Sequence, residues 1–337
     1  MNRVLLIFTV SILFFSCNKN EEDTPDNYNL VYPAHFPAPE YQFENNPYTR
    51  EGFLLGRKLF YDPLLSVNNT VSCGTCHDPT HAFADHNIPL SFGVFGRIGR
   101  RNSPPVFNMI WNTSFMWDGG VNHIELSGFP AIDDENEMDT NLPDIFEKLN
   151  NHDEYPQLFE KAFDGMGIND QTFFWAITQF MGAIISSTSK YDKYLNGKAS
   201  FSSEELAGLQ LFRTHCESCH QEPLFTDYSF RNNGLDSDFE RDKGRYEITL
   251  NPDDIGKFKV PTLRNITFTY PYMHDGRFIN LDQVLNHYSS GIVASATLDE
   301  QLQNGIPLTQ EEKNQIKAFL ETLTDYDLIN NLEFYPQ

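Results

Sequence analysis

Basic residues are scarce in this chain of 337 residues. Its 24 Lys and Arg stand against 47 Asp and Glu, which gives a formal net charge of −23. This balance argues against nucleic acid and against an anionic membrane surface as partners, and it favours a basic protein partner. A solubilising acidic surface accounts for the same charge. The composition does not distinguish a surface that attracts a basic partner from one that only keeps the protein soluble.

Long hydrophobic runs are also lacking. The mostly apolar stretch at residues 4–15 has twelve residues, fewer than the roughly 20 that span a bilayer as a helix. A basic start before it and Ser16-Cys17 after it predict a signal peptide over residues 1–17. The segment resembles a bacterial lipoprotein signal, in which Cys17 becomes acylated. We therefore expect a periplasmic or cell-envelope protein that is attached to a membrane only through a lipid at Cys17.

Cysteine is scarce as well, and its placement is informative. Four of the five cysteines lie in two copies of one motif, CGTCH at residues 73–77 and CESCH at 216–220. No cysteine is left for an ordinary disulfide framework. In a CxxCH motif, two thiols one helical turn apart add to the two vinyl groups of haem, and the following histidine offers an imidazole to the iron.

Other CxxC chemistries fit less well. The paired motifs of a zinc ribbon lie about 15–20 residues apart, whereas these lie 143 residues apart (216 − 73). A redox-active dithiol needs only one CxxC motif, and it does not need a histidine after that motif. We therefore predict two covalently bound c-type haems. The attachment residues are Cys73, Cys76, Cys216 and Cys219, and the iron ligands are His77 and His220.

Helical signals precede both motifs. Residues 55–60 and 209–212 carry apolar residues at helical spacing, as a diluted internal repeat. Ser202, with a glutamate three residues later, indicates the start of the second helix. Residues 173–185 predict a buried helix, and a last helix opens at Thr309. Few stretches alternate strictly, so we predict a mainly α fold with long loops around the cofactors.

The chain divides into four predicted segments. They are the signal peptide over 1–17, a polar tether over 18–47, an N-terminal domain over 48–190 and a C-terminal domain over 191–337. A hinge over residues 191–200 would join the two domains. Each domain contains one CxxCH motif.

Short motifs follow one another between about residue 50 and residue 325. They are GRKLFYD at 56–62, GRRNSP at 99–104, WDG at 117–119, EM at 137–138, FKVPTLRN at 258–265 and PYMHDG at 271–276. Together with the two CxxCH motifs they resemble the bacterial di-haem cytochrome c peroxidase family, which includes the MauG enzymes. The resemblance implies two cytochrome c-type haem domains joined in one chain.

The resemblance also implies an activity. Hydrogen peroxide would react at the N-terminal haem, and the C-terminal haem would relay electrons from a donor such as a small cytochrome c or a cupredoxin. A homodimer is compatible with it. Trp117 would lie between the haems, and Glu137 would be the acid–base group that moves a proton between the two oxygens, a contribution on the order of 10²–10⁴-fold. Without the resemblance, Glu137 is one member of the acidic run at 133–137, and Trp117 is a core residue.

The sequence departs from the peroxidase pattern at the first haem. Val94 stands where many family peroxidases have a distal histidine, and valine cannot bind iron. We therefore expect the first iron to have an open position, unless His81 or His86 substitutes. Ser127 stands where a glutamine is often found, ten residues before Glu137.

A second departure concerns the second haem. Tyr288 stands where the peroxidases have an axial methionine, and MauG-type proteins use tyrosine at the corresponding place. A phenolate ligand stabilises ferric iron and lowers the potential. Tyr288 shares a helix face with Val284, so it faces the core if Val284 does, and a buried phenol needs a partner such as ferric iron. A tyrosine that only packs beside the haem is the alternative. Met273 and His287 are the other candidate ligands.

The family further implies a calcium ion between the haems. Its ligands would be the Asn102 side chain and the carbonyls of Thr269 and Pro271, which suit an oxygen-seeking cation. A plain turn role for Asn102 is the alternative. The sequence predicts a di-haem peroxidase as the function. A MauG-like oxidase that modifies a protein or peptide side chain is the main alternative, and a non-enzymatic electron carrier is the other.

Overall fold

The computed structural model describes residues 29–337. The predicted signal peptide, with Cys17, and the first part of the predicted tether lie outside the described residues. No helix within residues 29–337 combines the length and the apolar character needed to cross a membrane. The helices are α1 Arg50–Tyr61, α2 Cys73–Cys76, α3 Phe129–Asp133, α4 Leu142–Asn150, α5 Tyr155–Phe163, α6 Asp170–Ala183, α7 Lys190–Leu195, α8 Ser203–His215, α9 Tyr246–Thr249, α10 Leu281–Asn286, α11 Gln310–Glu321 and α12 Tyr326–Ile329.

Extended structure is sparse in the described part of the chain, which confirms the mainly helical prediction. Strands β1 (Phe230–Arg231) and β2 (Phe258–Lys259) pair antiparallel, with Phe230 opposite Lys259. Short 3₁₀ turns and long loops connect the helices, and a π-helical turn over His287–Gly291 follows α10.

The first helix pair is α1 on α6. Helix α1 begins after Thr49, whose side chain accepts a hydrogen bond from the Gly52 N–H. The two helices meet at Gly56, where an added Cβ would lie 1.9 Å from the Ala176 carbonyl oxygen. Only glycine permits that approach, which buries Phe53 and its neighbours on α1 against α6.

The second helix pair repeats this arrangement. Helices α8 and α11 begin after Ser202 and Thr309, each in a capping box with a glutamate three residues on. They meet at Gly208, where a Cβ would lie 1.9 Å from the Gln315 carbonyl oxygen. In each half, therefore, the helix that leads into a CxxCH motif crosses a later helix at a glycine.

Two hydrophobic cores follow from these pairs. The first is built mainly on α1, α4, α5 and α6, and the second on α7, α8, α10 and α11. The last residues of the chain return to the first core, where Leu328, Ile329 and Phe334 are buried. The Tyr61 hydroxyl donates a hydrogen bond of 2.6 Å to the Phe334 carbonyl. This differs from the predicted C-terminal domain over 191–337, because its final segment packs on the N-terminal half.

The described part of the predicted tether differs from the expectation too. Phe36 and Phe43 are buried in the first core. The Trp111 indole donates a hydrogen bond of 2.9 Å to the Pro37 carbonyl. Residues 29–47 pack on the protein because their aromatic rings are large apolar surfaces, whose burial outweighs the polar character of the segment as a whole.

Helix α7 (Lys190–Leu195) occupies the first part of the predicted hinge over residues 191–200. Tyr191 and Asp192 are each 1% exposed. The Asp192 carboxylate pairs with the buried Arg264 guanidinium at 2.7 Å and lies 2.8 Å from the His35 ring. A buried charge is tolerated only with such partners. Asp192 therefore attaches the start of the predicted hinge to Arg264 and to His35.

Candidate active site

The first CxxCH motif forms one helical turn, α2. The His77 N–H donates to the Cys73 carbonyl at 3.0 Å, which continues the turn into the histidine. The His77 Nδ1 lies 3.0 Å from the Phe83 carbonyl oxygen. A carbonyl only accepts, so Nδ1 carries the proton and Nε2 is the nitrogen with a free lone pair.

The second motif has the same design. Cys216 caps the end of α8, and the His220 N–H donates to its carbonyl at 2.9 Å. The His220 Nδ1 lies 3.1 Å from the carbonyl oxygens of both Phe225 and Pro261. Nε2 is again left free for a metal.

The thiols themselves argue against the other CxxC chemistries. Burial raises the pKa of Cys73, Cys76 and Cys216 to about 12, whereas redox-active thiols have lowered pKa values. Within residues 29–337, three or more metal-binding side chains converge in one group, and that group contains no cysteine. Two thiols with an oriented imidazole fit a c-type haem at each motif.

Glu137 stands apart from its acidic neighbours. Residues 133–135 are exposed, but the chain turns after α3 and leaves Glu137 half-buried. Burial, with the nearby charge of Asp134, raises the pKa of Glu137 to about 7. Its charge in turn raises the pKa values of the Cys73 and Cys76 thiols. The structure therefore places Glu137 beside the first haem-attachment motif.

Val94 lies next to Glu137. The side chain of Val94 is fully buried, and its N–H donates to the Glu137 carbonyl at 2.8 Å. The preceding Gly93 touches the same backbone, because a Cβ there would lie 2.0 Å from the Asn136 carbonyl oxygen. Ser127 is buried, and its hydroxyl has no hydrogen-bond partner within the described part of the chain.

His81 and His86, the two histidines that would substitute for Val94, contact each other. His81 belongs to the hairpin that is closed by the Asp78 N–H to Ala84 carbonyl bond, 3.0 Å. Phe83 in the same hairpin holds the Nδ1 edge of the His77 ring, which is opposite Nε2. His86 packs on His81, with ring centroids 3.8 Å apart. Both histidines therefore belong to the hairpin that follows His77, where they contact each other.

Trp117 connects the two halves of the chain. Its indole Nε1 donates to the Asn102 carbonyl at 2.7 Å, and its own carbonyl accepts the Lys259 N–H at 2.7 Å. The Lys259 ammonium donates to the Ser114 carbonyl at 2.7 Å, and burial lowers the pKa of this lysine to about 8. Trp117 is thus held between two motifs that are distant in sequence.

Asn102 occupies the same junction. Its N–H donates to the His274 carbonyl at 2.7 Å, and its side-chain amide donates to the Pro89 carbonyl at 3.0 Å. These bonds bring it to the segment that begins at Pro271. Among the described residues, its hydrogen bonds do not include Thr269 or Pro271.

Tyr288 lies on the π-helical turn after α10, beside the second motif. The Cys219 and Cys216 thiols act electrostatically on its phenol, and burial raises the pKa of Tyr288 to about 12. The Asn233 amide, hydrogen-bonded to the phenol, acts in the opposite direction.

Asn233 also contacts the two other candidate ligands. Its amide donates to the Met273 sulfur at 3.3 Å. Its carbonyl lies 2.9 Å from the Nε2 of the buried His287, so that ring nitrogen is already engaged. Sequence reasoning missed Asn233, because an asparagine before a glycine carries only a turn signal and its partners lie about 40 residues or more away.

Comparison with known proteins decides the family. The methylamine utilization protein MauG of Methylorubrum extorquens is 32% identical over 285 residues, which are 82% of this chain and 79% of that protein. The chain belongs to the di-haem cytochrome c peroxidase and MauG family. A family model described as di-haem cytochrome c peroxidase matches residues 50–200.

Both branches of the family are represented among its relatives. The cytochrome c551 peroxidase of Nitrosomonas europaea is 33% identical over 276 residues, 80% of this chain and 79% of that protein. A crystal structure of a MauG-like protein associated with microbial copper homeostasis superposes with a TM-score of 0.85 at 32% identity, covering 92% of this chain and 99% of that one. The chain is thus an oxidoreductase family member with haem cofactors.

Proposed function

We propose that this protein is a di-haem peroxidase that converts hydrogen peroxide, two protons and two electrons from an external donor into two waters. The observation that supports this most is the half-buried Glu137, whose pKa is raised to about 7 beside Cys73 and Cys76. When bound, the haems would supply the iron redox chemistry. They would be held by the cysteines and histidines of the two CxxCH motifs.

Glu137 is the acid–base group in this proposal. It takes the proton from the peroxide oxygen that would face the iron and gives it to the other oxygen. That second oxygen then leaves as water. A group that must both accept and donate a proton works best when its pKa lies near the working pH. The raised pKa of Glu137 meets that condition.

Trp117 is the proposed electron relay between the two haems. Its indole nitrogen and its carbonyl are both held by hydrogen bonds, to Asn102 and Lys259, which fixes the ring between the two halves. The net charge of −23 favours a basic donor such as a small cytochrome c or a cupredoxin. We also propose the calcium ion at Asn102, Thr269 and Pro271, and lipid attachment to the cell envelope at Cys17.

The proposed activity is tested by steady-state peroxide consumption with a reduced small cytochrome as donor. Two equivalents of the donor should be oxidised for each peroxide consumed. If peroxide is consumed only when a tryptophan-containing protein is supplied as the reductant, the peroxidase proposal fails and the oxidase alternative replaces it.

Val94 gives a prediction about activation. We expect the fully ferric holoprotein to bind cyanide without prior reduction, because the buried valine beside Glu137 cannot ligate iron. Absorption spectroscopy of the ferric protein titrated with cyanide measures this. Val94→His should make binding depend on one-electron reduction. A wild-type protein that itself needs reduction first would show that another group caps the first haem.

A MauG-like oxidase is the second candidate function, and the position of Tyr288 favours it. The phenol lies beside Cys216 and Cys219, where it would help to hold the second haem by binding its iron. A metal lowers the pKa of a coordinated acid and holds it deprotonated, and an anionic ligand makes ferric iron harder to reduce. A haem so held favours oxidation of a demanding substrate, such as a protein side chain.

The Tyr288→Phe variant is expected to keep the second haem attached, to change its ferric spectrum and to raise its potential by on the order of 0.1 V, because axial ligands set haem potentials over a range of about 0.8 V. Spectroelectrochemistry of the holoprotein measures both effects. Met273→Leu is the matched variant, since Met273 shares Asn233 with Tyr288. If the ferric spectrum and the potential of the second haem are unchanged in Tyr288→Phe but altered in Met273→Leu, the iron ligand is Met273. That outcome would favour the peroxidase function over the oxidase.

A further inference from the structure

Three metal-binding side chains converge in the hairpin that follows the first haem-attachment motif. The Nδ1 atoms of His81 and His86 lie 3.0 Å apart. The Asp78 Oδ2 lies 3.8 Å from the first of these atoms and 4.0 Å from the second. In the described part of the chain this is the one group of three or more such side chains whose ligand atoms all lie within 4.8 Å of one another. The proposed peroxidase reaction uses none of these side chains.

The hairpin that follows His77 holds these groups in place. The other carboxylate oxygen of Asp78, Oδ1, accepts hydrogen bonds from the Thr80 N–H at 2.8 Å and the Thr80 hydroxyl at 2.7 Å. Oδ2 is left to face the imidazoles. Ala82 and Phe83 both adopt positive φ values, 50° and 60°, a conformation that costs free energy for residues with a side chain. The backbone is therefore held in an uncommon turn, after which the chain returns to place His86 against His81.

The spacing of the ligand atoms suits one small ion. Two ligands at about 2.0–2.2 Å from a common tetrahedral ion lie roughly 3.3–3.6 Å apart. The observed separations of 3.0, 3.8 and 4.0 Å bracket that value. Two imidazole nitrogens 3.0 Å apart can share either one proton or a common ion.

We propose that Asp78, His81 and His86 bind one divalent transition-metal ion through Oδ2 and the two Nδ1 atoms, with water in the remaining positions. Two imidazoles and one carboxylate suit zinc or copper(II), whereas calcium and magnesium prefer oxygen ligands alone. Copper(II) should bind more tightly than zinc, following the general order of affinities for divalent metals. The His86 side chain is 58% exposed, which leaves the ion a path from solvent.

The position of the site suggests what the ion does. Asp78 directly follows His77 in sequence, and Phe83, between the ligands, holds the His77 ring by its carbonyl. An ion that joins Asp78, His81 and His86 would close the hairpin on itself and restrict the orientation of His77. The site is distinct from the proposed calcium position at Asn102.

The test uses untagged holoprotein with both haems, freed of exchangeable metal ions by a chelator and dialysis. Titration calorimetry with zinc chloride and with copper sulfate should show one equivalent of ion whose affinity falls 10-fold or more in His86→Ala and in His81→Ala. His123→Ala is the matched control, because His123 is also exposed and its ring nitrogen lies 3.9 Å from a single carboxylate, that of Glu125. It should bind as the wild type does.

Electron paramagnetic resonance of the copper(II)-loaded protein gives an independent readout. The copper signal should show coupling to two nitrogens in the wild type and in His123→Ala, and to one in His86→Ala. Unchanged haem absorption establishes that each variant is folded, and the exposed His86 carries the test if His81→Ala does not fold. Equal affinity in His86→Ala and wild type, or a copper signal with oxygen ligands only, would overturn the proposal.

Discussion

Replacing Glu137 with glutamine is expected to slow peroxide cleavage by on the order of 10²-fold or more while both haems remain attached. Glutamine keeps the shape of the side chain but cannot accept the proton of the peroxide oxygen that would face the iron. Stopped-flow mixing of the ferric protein with peroxide measures the step directly. Glu135→Gln is the matched control, because Glu135 belongs to the same acidic run but is exposed, and it should leave the rate unchanged.

The pH dependence separates an acid–base role from a structural one. Because the pKa of Glu137 is raised to about 7, the wild-type rate should rise with pH through about 7 as the carboxyl group becomes able to accept a proton. The Gln variant should lack that rise. An unchanged rate and profile in Glu137→Gln would assign the acid–base role to another group.

The same shift has a consequence for stability. A carboxyl group whose pKa is higher in the folded than in the unfolded protein binds more protons when the protein is folded. The free energy of unfolding therefore falls as the pH rises from the ordinary pKa of a glutamate to the raised pKa of Glu137, about 7. Glu137→Gln should therefore raise the melting temperature at pH 8 more than at pH 5. Thermal unfolding of the two holoproteins at both pH values measures the difference.

Removing the thiols of either CxxCH motif is expected to remove one covalent haem. The Cys73→Ser and Cys76→Ser double variant should retain one haem per chain after acid–acetone extraction, and so should the Cys216→Ser and Cys219→Ser double variant. The variant with all four substitutions should retain none, because thioether bonds are what hold the cofactor after denaturation. Extracted and retained haem are counted by absorption.

The fifth cysteine supplies the control for that experiment. Cys17→Ser should keep both haems, since the residue lies outside both motifs. Zinc in stoichiometric amounts in the wild-type protein, with no haem left on the chain after extraction, would contradict the assignment of the two motifs.

The sequence was sufficient where the deciding interactions are local. The caps of α8 and α11 lie within three residues of the helix starts, and the structure confirms both. The CxxCH motifs carry their chemistry in five consecutive residues, and the order of motifs along the chain identified the family, which the comparisons confirm.

Segment boundaries were less predictable. Residues 29–47 looked like a tether because prolines and polar residues dominate them, but Phe36 and Phe43 find apolar partners in the first core. Proximity in sequence places the C-terminal residues in the second domain, although Phe334 packs against the first core. Local composition does not record which distant surface a segment will cover.

The sequence by itself determined the two haem motifs, the helical class and the family, because each depends on short segments whose residues are close together in the chain and on the order of those segments. Only the tertiary structure shows that Glu137 is less exposed than residues 133–135, that His81 packs on His86, and that Asn233 contacts Tyr288. Burial and proximity across the chain set the pKa of a carboxyl group and the convergence of ligands. Both are properties of the folded chain, since they arise only when segments far apart in sequence exclude water together.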